Sequence, residues 1–245
     1  ATGIICASGT LGQIIPPSIV LVLLGDVLSS AYSQAQIDQG IFSPDTVSVG
    51  DLFVGALIPG LMLVALYVAY LVVLALLRPD SMPSYEATEA EKPGVLALGL
   101  ALFPPLFLIL AVLGSILAGL ATPTEAAGVG AMGALLLAVF KSQFSIARLV
   151  EVMQSTVRVS SMVFLILIGA SVFSLVFRGY GGDELVQNFL MNMPGGTVGA
   201  VVTVMVLMFL LGFVLDFIEI TFVVVPIVGP ILLAMGIDPV WLGVM

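Results

Sequence analysis

Residues 52–77 read LFVGALIPGLMLVALYVAYLVVLALL, a run of 26 residues without a charged side chain. A helix needs about 20 apolar residues to cross the roughly 30 Å hydrocarbon core of a bilayer. The run is longer than that minimum and contains nothing that water would need to solvate. It therefore predicts a transmembrane helix and makes the chain a membrane protein.

The same pattern extends in both directions along the chain. The predicted membrane segments are residues 4–24, 52–77, 95–120, 123–140, 159–177, 197–215 and 220–235, with another starting at 239. Most of these runs are long and continuous rather than alternating in units of about 10 residues, which favours helices over a barrel of strands. We expect an all-α polytopic membrane protein that crosses or enters the membrane about seven or eight times.

Composition excludes several classes of protein. The chain is 60% hydrophobic and only 9% charged, whereas a soluble domain carries roughly 25% charged residues. A net charge of −9 opposes binding to nucleic acid, so we expect none as a partner. There is no histidine for acid–base catalysis or metal binding, and a single cysteine, Cys6, excludes a disulfide framework and a multi-cysteine zinc site.

The connecting segments differ in charge. Cations lie in 78–93 and 141–158, whereas 26–51 contains four aspartates and no cation. The positive-inside rule places the first two segments and residue 1 on the cytoplasmic side. Since the chain starts at Ala1 within one apolar stretch and ends at Met245 as another begins, we expect an internal fragment of a longer membrane protein.

Two connecting segments have amphipathic patterns. Residues 144–153 (FSIARLVEVM) and 183–191 (DELVQNFLM) each place apolar side chains on one helical face. This pattern indicates helices lying along the membrane interface, although a solvated helical cap between two spans fits as well.

The first apolar segment is interrupted. Residues 8–18 read SGTLGQIIPPS, with two glycines three residues apart followed by a pair of prolines. Prolines remove backbone donors, and a break at membrane depth is tolerated where the freed groups meet protein, water or a ligand. We interpret the segment as a broken helix at a transport site; a plain proline kink is the alternative.

A second anomaly lies at 211–221, LGFVLDFIEIT. It places Asp216 and Glu219 on one helical face between the apolar arms 197–211 and 222–235. A charge at membrane depth costs at least about 2.5–3.5 kcal/mol, so it indicates a cavity, a partner or a cation. The arms fit a re-entrant hairpin whose second arm is bent by Pro226 and Pro230. Two full spans joined by an acidic loop remain the alternative.

The third motif is ATPTEAA at 121–127. Thr122 or Thr124 can cap the following helix, Pro123 suits its first turn and Glu125 suits its positive end. The glycines at 128, 130 and 133 follow no strand, so they indicate close helix packing rather than a dinucleotide site.

In this order and spacing the motifs resemble the large membrane subunit of TRAP (tripartite ATP-independent periplasmic) transporters. The matching stretches are ASGTLG at 7–12 with IPPS at 15–18, DLFVGALIPG at 51–60, ATPTEA at 121–126, and the hairpin at 211–216 with Pro226, Pro230 and GIDP at 236–239.

The resemblance implies an elevator-type fold of the ion-transporter superfamily. The transport domain would comprise 1–77 (broken helix 1–25, periplasmic loop 26–51, helix 52–77) and 197–245, which holds the second re-entrant hairpin and the start of a second broken helix. A cytoplasmic linker at 78–94, scaffold helices at 95–177 and an interfacial arm helix at 178–196 would complete the chain.

It also implies a function: sodium-coupled symport of an organic anion such as a dicarboxylate across the bacterial inner membrane. A periplasmic substrate-binding protein would deliver the anion, and a small membrane subunit would support the permease in the lipid bilayer. Na⁺ would be the coupling ion, with no other cofactor. The implied Na⁺ ligands are Ser8, Gly9, Thr10, Gly12, Gly212, Asp216 and Thr221. The implied substrate residues are Ser8, Pro16, Pro17, Asp216 and Glu219, and the signature motif is Thr122, Pro123, Thr124 and Glu125.

Other functions fit the residues less well. An intramembrane protease needs a second deep aspartate or a histidine, and a passive channel or a structural subunit does not account for paired breaks with a hairpin. The main alternative is another sodium- or proton-coupled anion transporter of the same superfamily, working without a binding protein.

Overall fold

The computed structural model describes residues 2–78 and 94–245, and within them the secondary structure is helical, with no strand. The predicted linker at 78–94 lies outside the described residues except for its two ends. The elements in chain order are α1 (Thr2–Ile14), α2 (Ile19–Asp38), α3 (Val49–Leu77), α4 (Val95–Leu117), α5 (Pro123–Phe140), α6 (Ile146–Gly179), α7 (Gly182–Met191), α8 (Gly196–Leu211), α9 (Phe217–Glu219), a π-helical turn (Ile220–Val224), α10 (Val225–Ala234) and α11 (Pro239–Val244).

Helix length and composition confirm an all-α polytopic membrane protein. Among the described residues, five helical stretches are long and apolar enough to span a bilayer: α3, α4, α5, α6 and the continuous run Phe217–Ala234. A sixth span results if α1 and α2 count as one. By contrast α8 has 16 residues, about 24 Å of helix, which is short for a 30 Å core.

The chain divides into two compact units. Unit 1 contains Ala1–Ser18 and Phe53–Phe144, and unit 2 contains Ile19–Leu52 and Ser145–Met245. These boundaries differ from the predicted division into transport and scaffold parts, which concerns motion and stays a prediction.

In unit 1, α4 and α5 pack closely because α5 carries small residues. A Cβ added at Gly130 would lie 3.2 Å from Val112 Cγ2, and one added at Gly133 would collide with Leu108. Gly128 has open space instead. The predicted role of these glycines in helix packing is therefore confirmed at Gly130 and Gly133.

In unit 2, α8 and α10 form the two arms of a helical hairpin. Their contact is a core of buried aliphatic side chains that includes Ala200, Val204, Val228 and Leu232, with Leu190 of α7 beside it. Small residues also bring α2 close to α10, since a Cβ at Gly229 would lie 3.4 Å from the Ala31 Cβ. The predicted hairpin is thus present, and its depth in the membrane stays a prediction.

The first break is narrower than predicted. The backbone was expected to be unwound from Ser8 to Ser18, but α1 remains helical through Ile14 and only residues 15–18 interrupt it. The reason is that glycines do not remove a backbone donor, whereas Pro16 and Pro17 do. The helix therefore ends at the prolines, not at the glycines.

The predicted periplasmic loop 26–51 is helical over much of its length, and its periplasmic location stays a prediction. Helix α2 continues to Asp38 and α3 begins at Val49. Polar residues at 26, 30, 34 and 38 lower the hydropathy of this stretch, which is why it resembled a loop. Their spacing of four residues is nevertheless helical, and Leu28, Ala31 and Ala35 of the same helix are buried.

Of the two predicted amphipathic helices, only the second is separate. Helix α7 covers Gly182–Met191, as expected for 183–191. Residues 146–153, however, form the first turns of α6, which starts after the N-cap Ser145 and continues for 34 residues. No glycine or proline stops it before the apolar part, so about 51 Å of helix forms, well beyond a 30 Å core.

Candidate functional site

The turn of the hairpin carries the predicted carboxylate Asp216. Helix α8 ends at Gly212, residues 213–215 form the turn, and Asp216 is the N-cap of α9 with extended backbone angles. Its Oδ1 atom accepts a hydrogen bond of 2.8 Å from the backbone N–H of Phe217. The Asp216 side chain is otherwise exposed, so the remaining oxygen lone pairs face outward.

Four backbone carbonyls precede this carboxylate along the chain, at residues 212–215. The N–H groups of Val214 and Leu215 both donate back to the Leu211 carbonyl, at 2.9 and 2.8 Å. The carbonyl oxygens of residues 212–215 accept no hydrogen bond from the described part of the chain. Carbonyl and carboxylate oxygens are the type of ligand that a hard cation prefers.

The sequence reasoning missed most of these carbonyls, because Phe213, Val214 and Leu215 have apolar side chains. The sequence did contain a signal for them. The segment between Gly212 and Asp216 is short, and aspartate favours the N-cap position, so one helix ends and the next begins within it. The carbonyls of such a segment have no N–H partner in a helix.

Glu219 and Thr221 follow on the second arm. Glu219 is half-buried at the end of α9, while Thr221 is 5% exposed within the π-helical turn. Thr221 also lines a largely apolar cavity of about 210 Å³. The π-helical turn ends at Val224, two residues before Pro226, and is a widened turn of a kind often found at functional sites. The bend expected at Pro226 and Pro230 stays a prediction.

The predicted residues of the first break lie in unit 1, on and just after α1. The Ser8 hydroxyl donates to the Ile5 carbonyl at 3.2 Å, and the Thr10 hydroxyl donates to the Ala7 carbonyl at 2.7 Å. Each hydroxyl oxygen keeps lone pairs for a cation. The ligand roles predicted for Ser8, Gly9, Thr10 and Gly12 stay predictions.

Two further observations concern this region. A Cβ at Gly9 or Gly12 would meet no atom within 4 Å, and neither glycine has a positive φ, so the described residues impose no need for glycine there. At the break, Pro16 is buried and Pro17 exposed, and the Ser18 hydroxyl donates to the Gln13 carbonyl across the two prolines.

The signature motif in unit 1 is a helix cap. The Thr122 hydroxyl oxygen accepts from the Glu125 N–H at 3.3 Å, and Glu125 Oε2 accepts from the Thr122 N–H at 2.8 Å. This reciprocal capping box, with Pro123 in the first turn, confirms Thr122 rather than Thr124 as the N-cap.

No group of three or more His, Cys, Asp or Glu residues that could hold a metal ion occurs in the described residues. A cation at the hairpin turn would therefore depend on backbone carbonyls and one carboxylate.

Sequence comparison identifies the family. The model of the family described as "Tripartite ATP-independent periplasmic transporter, DctM component" matches residues 1–245. The chain belongs to this family. It is a family of transporters rather than enzymes, and its members are integral proteins of the bacterial inner membrane. The apolar helices of this chain, which are long enough to span a membrane, agree with that.

Curated relatives match over nearly the whole chain. It is 30% identical to the C4-dicarboxylate TRAP transporter large permease protein DctM of Rhodobacter capsulatus, over 99% of this chain and 54% of that protein. It is 28% identical to the sialic acid TRAP transporter large permease protein SiaM of Vibrio cholerae serotype O1, over 100% of this chain and 53% of the relative. It is 26% identical to the ectoine TRAP transporter large permease protein TeaC of Halomonas elongata, over 99% and 52%. The chain thus spans about half the length of these relatives.

Proposed function

We propose that this chain is part of a permease that takes up a small, carboxylate-bearing organic solute with sodium as the coupling ion. A periplasmic binding protein delivers the solute and a small membrane subunit completes the transporter. The observation that carries the proposal is the family match over residues 1–245, together with a hairpin whose turn presents Asp216.

The solute class is supported by the named relatives. Their names specify C4-dicarboxylate, sialic acid and ectoine. These solutes differ in size and net charge, but every one of them carries a carboxylate group. A carboxylate is therefore the chemical feature that a shared binding mechanism can use.

The chemistry of the hairpin turn supports sodium coupling. Unengaged carbonyls of residues 212–215 supply oxygen ligands without carrying a full charge, and Asp216 supplies one negative charge. Such a turn can replace the hydration shell of Na⁺. The widened turn beside it and the break at 15–18 are irregularities of the kind that transport sites contain.

An elevator movement is part of the proposal. Its support is the resemblance to a fold in which a transport domain with hairpin and broken helix moves against a scaffold. The description of the family as tripartite supports the two partners.

The test is uptake into proteoliposomes that contain the full-length permease with its small membrane subunit. The solute is the radiolabelled carboxylate, from a panel including succinate, N-acetylneuraminate and ectoine, that most raises the Tm of the partner binding protein. We expect uptake only with an inward sodium gradient and with the binding protein present. Equal uptake without the binding protein would instead support a transporter that works alone. Uptake driven by a proton gradient in choline medium would contradict sodium coupling.

A further inference from the structure

Unit 2 contains an apolar cavity of about 210 Å³ between α2, the two arms of the hairpin and α11. Its aliphatic walls include Leu28 of α2, Val204 and Met208 of α8, Val228 and Leu232 of α10, and Leu242 of α11. Leu28, Val204 and Leu232 are at most 2% exposed, so much of the wall is firmly packed. An apolar cavity of about 150 Å³ can hold benzene. This cavity therefore has room for an aromatic ring with a small substituent.

One polar side chain, that of Thr221 in the π-helical turn, also lines the cavity. Thr221 is 5% exposed, and its hydroxyl forms no hydrogen bond within the described residues. The other two buried polar side chains there, Ser18 and Gln36, both form hydrogen bonds. Thr221 is therefore the exception among the buried polar side chains that the structure describes.

The Thr221 hydroxyl is not sealed within the packing. In the described part of the chain, Gln36 Nε2 is the only fully enclosed side-chain nitrogen or oxygen atom that lacks a hydrogen-bond partner. Since the Thr221 oxygen also lacks a partner, it must be reachable from a neighbouring space. The cavity is the space that Thr221 lines.

The widened turn accounts for this free hydroxyl. In the α-helical parts of the chain, hydroxyls donate to the carbonyl four residues earlier at 2.8–2.9 Å, as in Thr156, Ser171 and Thr203. In the π-helical turn the Val225 N–H instead bonds to the Ile220 carbonyl, five residues earlier. The Thr221 hydroxyl makes no bond of the α-helical kind and so remains available to a ligand.

The walls exclude two kinds of occupant. An ion would lose its hydration in this apolar space without gaining a counter-charge. A buried water molecule needs roughly two to four polar partners, whereas the walls offer one polar side chain. A pure hydrocarbon fits the walls but leaves the buried hydroxyl unpaired, which is costly.

We propose that the cavity binds a neutral apolar molecule, about the size of a substituted benzene, that carries one hydrogen-bonding group. Its apolar body fills the space between α2 and the hairpin, and its polar group pairs with the Thr221 hydroxyl, which can both donate and accept. The lining residues all belong to 1–77 and 197–245, the predicted transport domain. The inference goes beyond the proposed function, since this ligand carries no carboxylate and is not the transported solute.

The test uses 4-fluorobenzyl alcohol and 4-fluorotoluene, which share a ring and differ by a hydroxyl group. The full-length permease with its small membrane subunit in lipid nanodiscs is titrated with each probe, and fluorine NMR separates bound probe from probe dissolved in lipid. We expect both probes to bind and each to displace the other. Because neither a sodium gradient nor the binding protein is needed, this result is independent of the uptake that tests the proposed function.

A variant then tests the hydrogen bond. Thr221→Val removes the hydroxyl and keeps a similar shape, so it should weaken 4-fluorobenzyl alcohol binding about two- to tenfold, the range for one hydrogen bond between neutral groups. It should not weaken 4-fluorotoluene binding. Thr203→Val is the matched control and should change neither affinity, because the Thr203 hydroxyl donates to the Gly199 carbonyl and does not line the cavity.

Sodium distinguishes this role of Thr221 from the Na⁺-ligand role predicted from the sequence. We expect 4-fluorobenzyl alcohol to bind equally well in sodium chloride and in choline chloride. A loss of affinity as sodium rises would assign the hydroxyl to a sodium site and overturn the inference. Binding of neither probe to the full-length permease would also overturn it, as would a Thr221→Val variant that affects both probes equally or neither.

Discussion

Asp216 combines two roles at the residue scale, and a conservative substitution separates them. As the N-cap of α9 it accepts a hydrogen bond from Phe217 N–H, and as a carboxylate it adds a negative charge beside the carbonyls of 212–215. An asparagine keeps an oxygen that can cap the helix, so Asp216→Asn should leave the fold intact. The substitution does remove the negative charge, which is the feature of the side chain that a cation site depends on most.

We therefore predict that Asp216→Asn raises the sodium concentration for half-maximal uptake about tenfold or more, equivalent to about 1.4 kcal/mol. The measurement is a sodium titration of uptake by the full-length transporter. Asp238→Asn is a matched control, because Asp238 caps α11 through Trp241 N–H at the same distance of 2.8 Å. Glu219→Gln should have a smaller effect. Unaltered sodium dependence in Asp216→Asn with an inactive Glu219→Gln would reverse the two assignments.

The capping box gives a second prediction at this scale. Thr122→Ala removes the oxygen that accepts from Glu125 N–H, so it should lower the free energy of unfolding by about 1 kcal/mol. Thermal unfolding of the full-length permease in detergent measures this loss. Thr124→Ala is the control, since Thr124 is exposed and does not cap the helix. An equal effect of both substitutions would show that the motif is not acting as a cap.

At the scale of elements, glycine positions on α5 differ in what surrounds them. Gly133→Leu should destabilise the permease by about 1–3 kcal/mol, because its side chain would collide with Leu108 of α4. Gly128→Leu places the same side chain in open space and is the control. The measurement is the thermal unfolding midpoint of each variant. Equal midpoints for the two variants would contradict the packing of α4 on α5.

The apolar helices could be predicted from the sequence, and so could both ends of α5 at 123 and 140, but several other helix ends could not. The uncharged run at 52–77 predicted α3, and the apolar arms predicted the hairpin. The ends at Asp38 and Ile146 were missed because hydropathy measures affinity for lipid, not helical periodicity. The end at Ile14 was missed because the predicted break included the glycines, whereas only the prolines make it. The polar residues at 26, 30, 34 and 38 of α2 have helical spacing, yet they make this stretch polar enough to be taken for a loop.

The candidate site was predictable to a similar extent. Asp216 stood out as a charge between apolar arms, since a side chain of that kind is costly at depth. The unengaged carbonyls of 212–215 were not found, because they depend on which backbone groups lack partners after folding. A sequence shows which polar groups are present, but not which of them form hydrogen bonds after folding.

The whole-molecule question is which helices move with the hairpin. The sequence-based division assigns 95–177 to the scaffold, whereas α6 packs on the hairpin through Ala170, Ile218 and Phe222 within one compact unit. If the elevator division holds, this contact must change during transport.

We predict that the contact between α6 and the hairpin changes during transport. Spin labels at Phe164 of α6 and Val214 of the hairpin turn, both exposed, should report a different distance after sodium and solute are added to the reconstituted transporter. Labels at Val214 and Val198 within the hairpin are the control and should keep their distance. A constant distance between Phe164 and Val214 in every condition would mean that α6 travels with the hairpin, contrary to the predicted division.

The central claim is that the hairpin turn at Asp216 couples sodium to solute uptake, and one measurement addresses it directly. Proteoliposomes with the full-length transporter, its small membrane subunit and its loaded binding protein receive ²²Na⁺ and labelled solute together. The account predicts that solute stimulates ²²Na⁺ entry in a fixed ratio. At the sodium concentration that is half-maximal for the unsubstituted transporter, Asp216→Asn should strongly reduce this stimulation while Asp238→Asn preserves it. Solute entry without accompanying ²²Na⁺, or unchanged co-entry in Asp216→Asn, would contradict it.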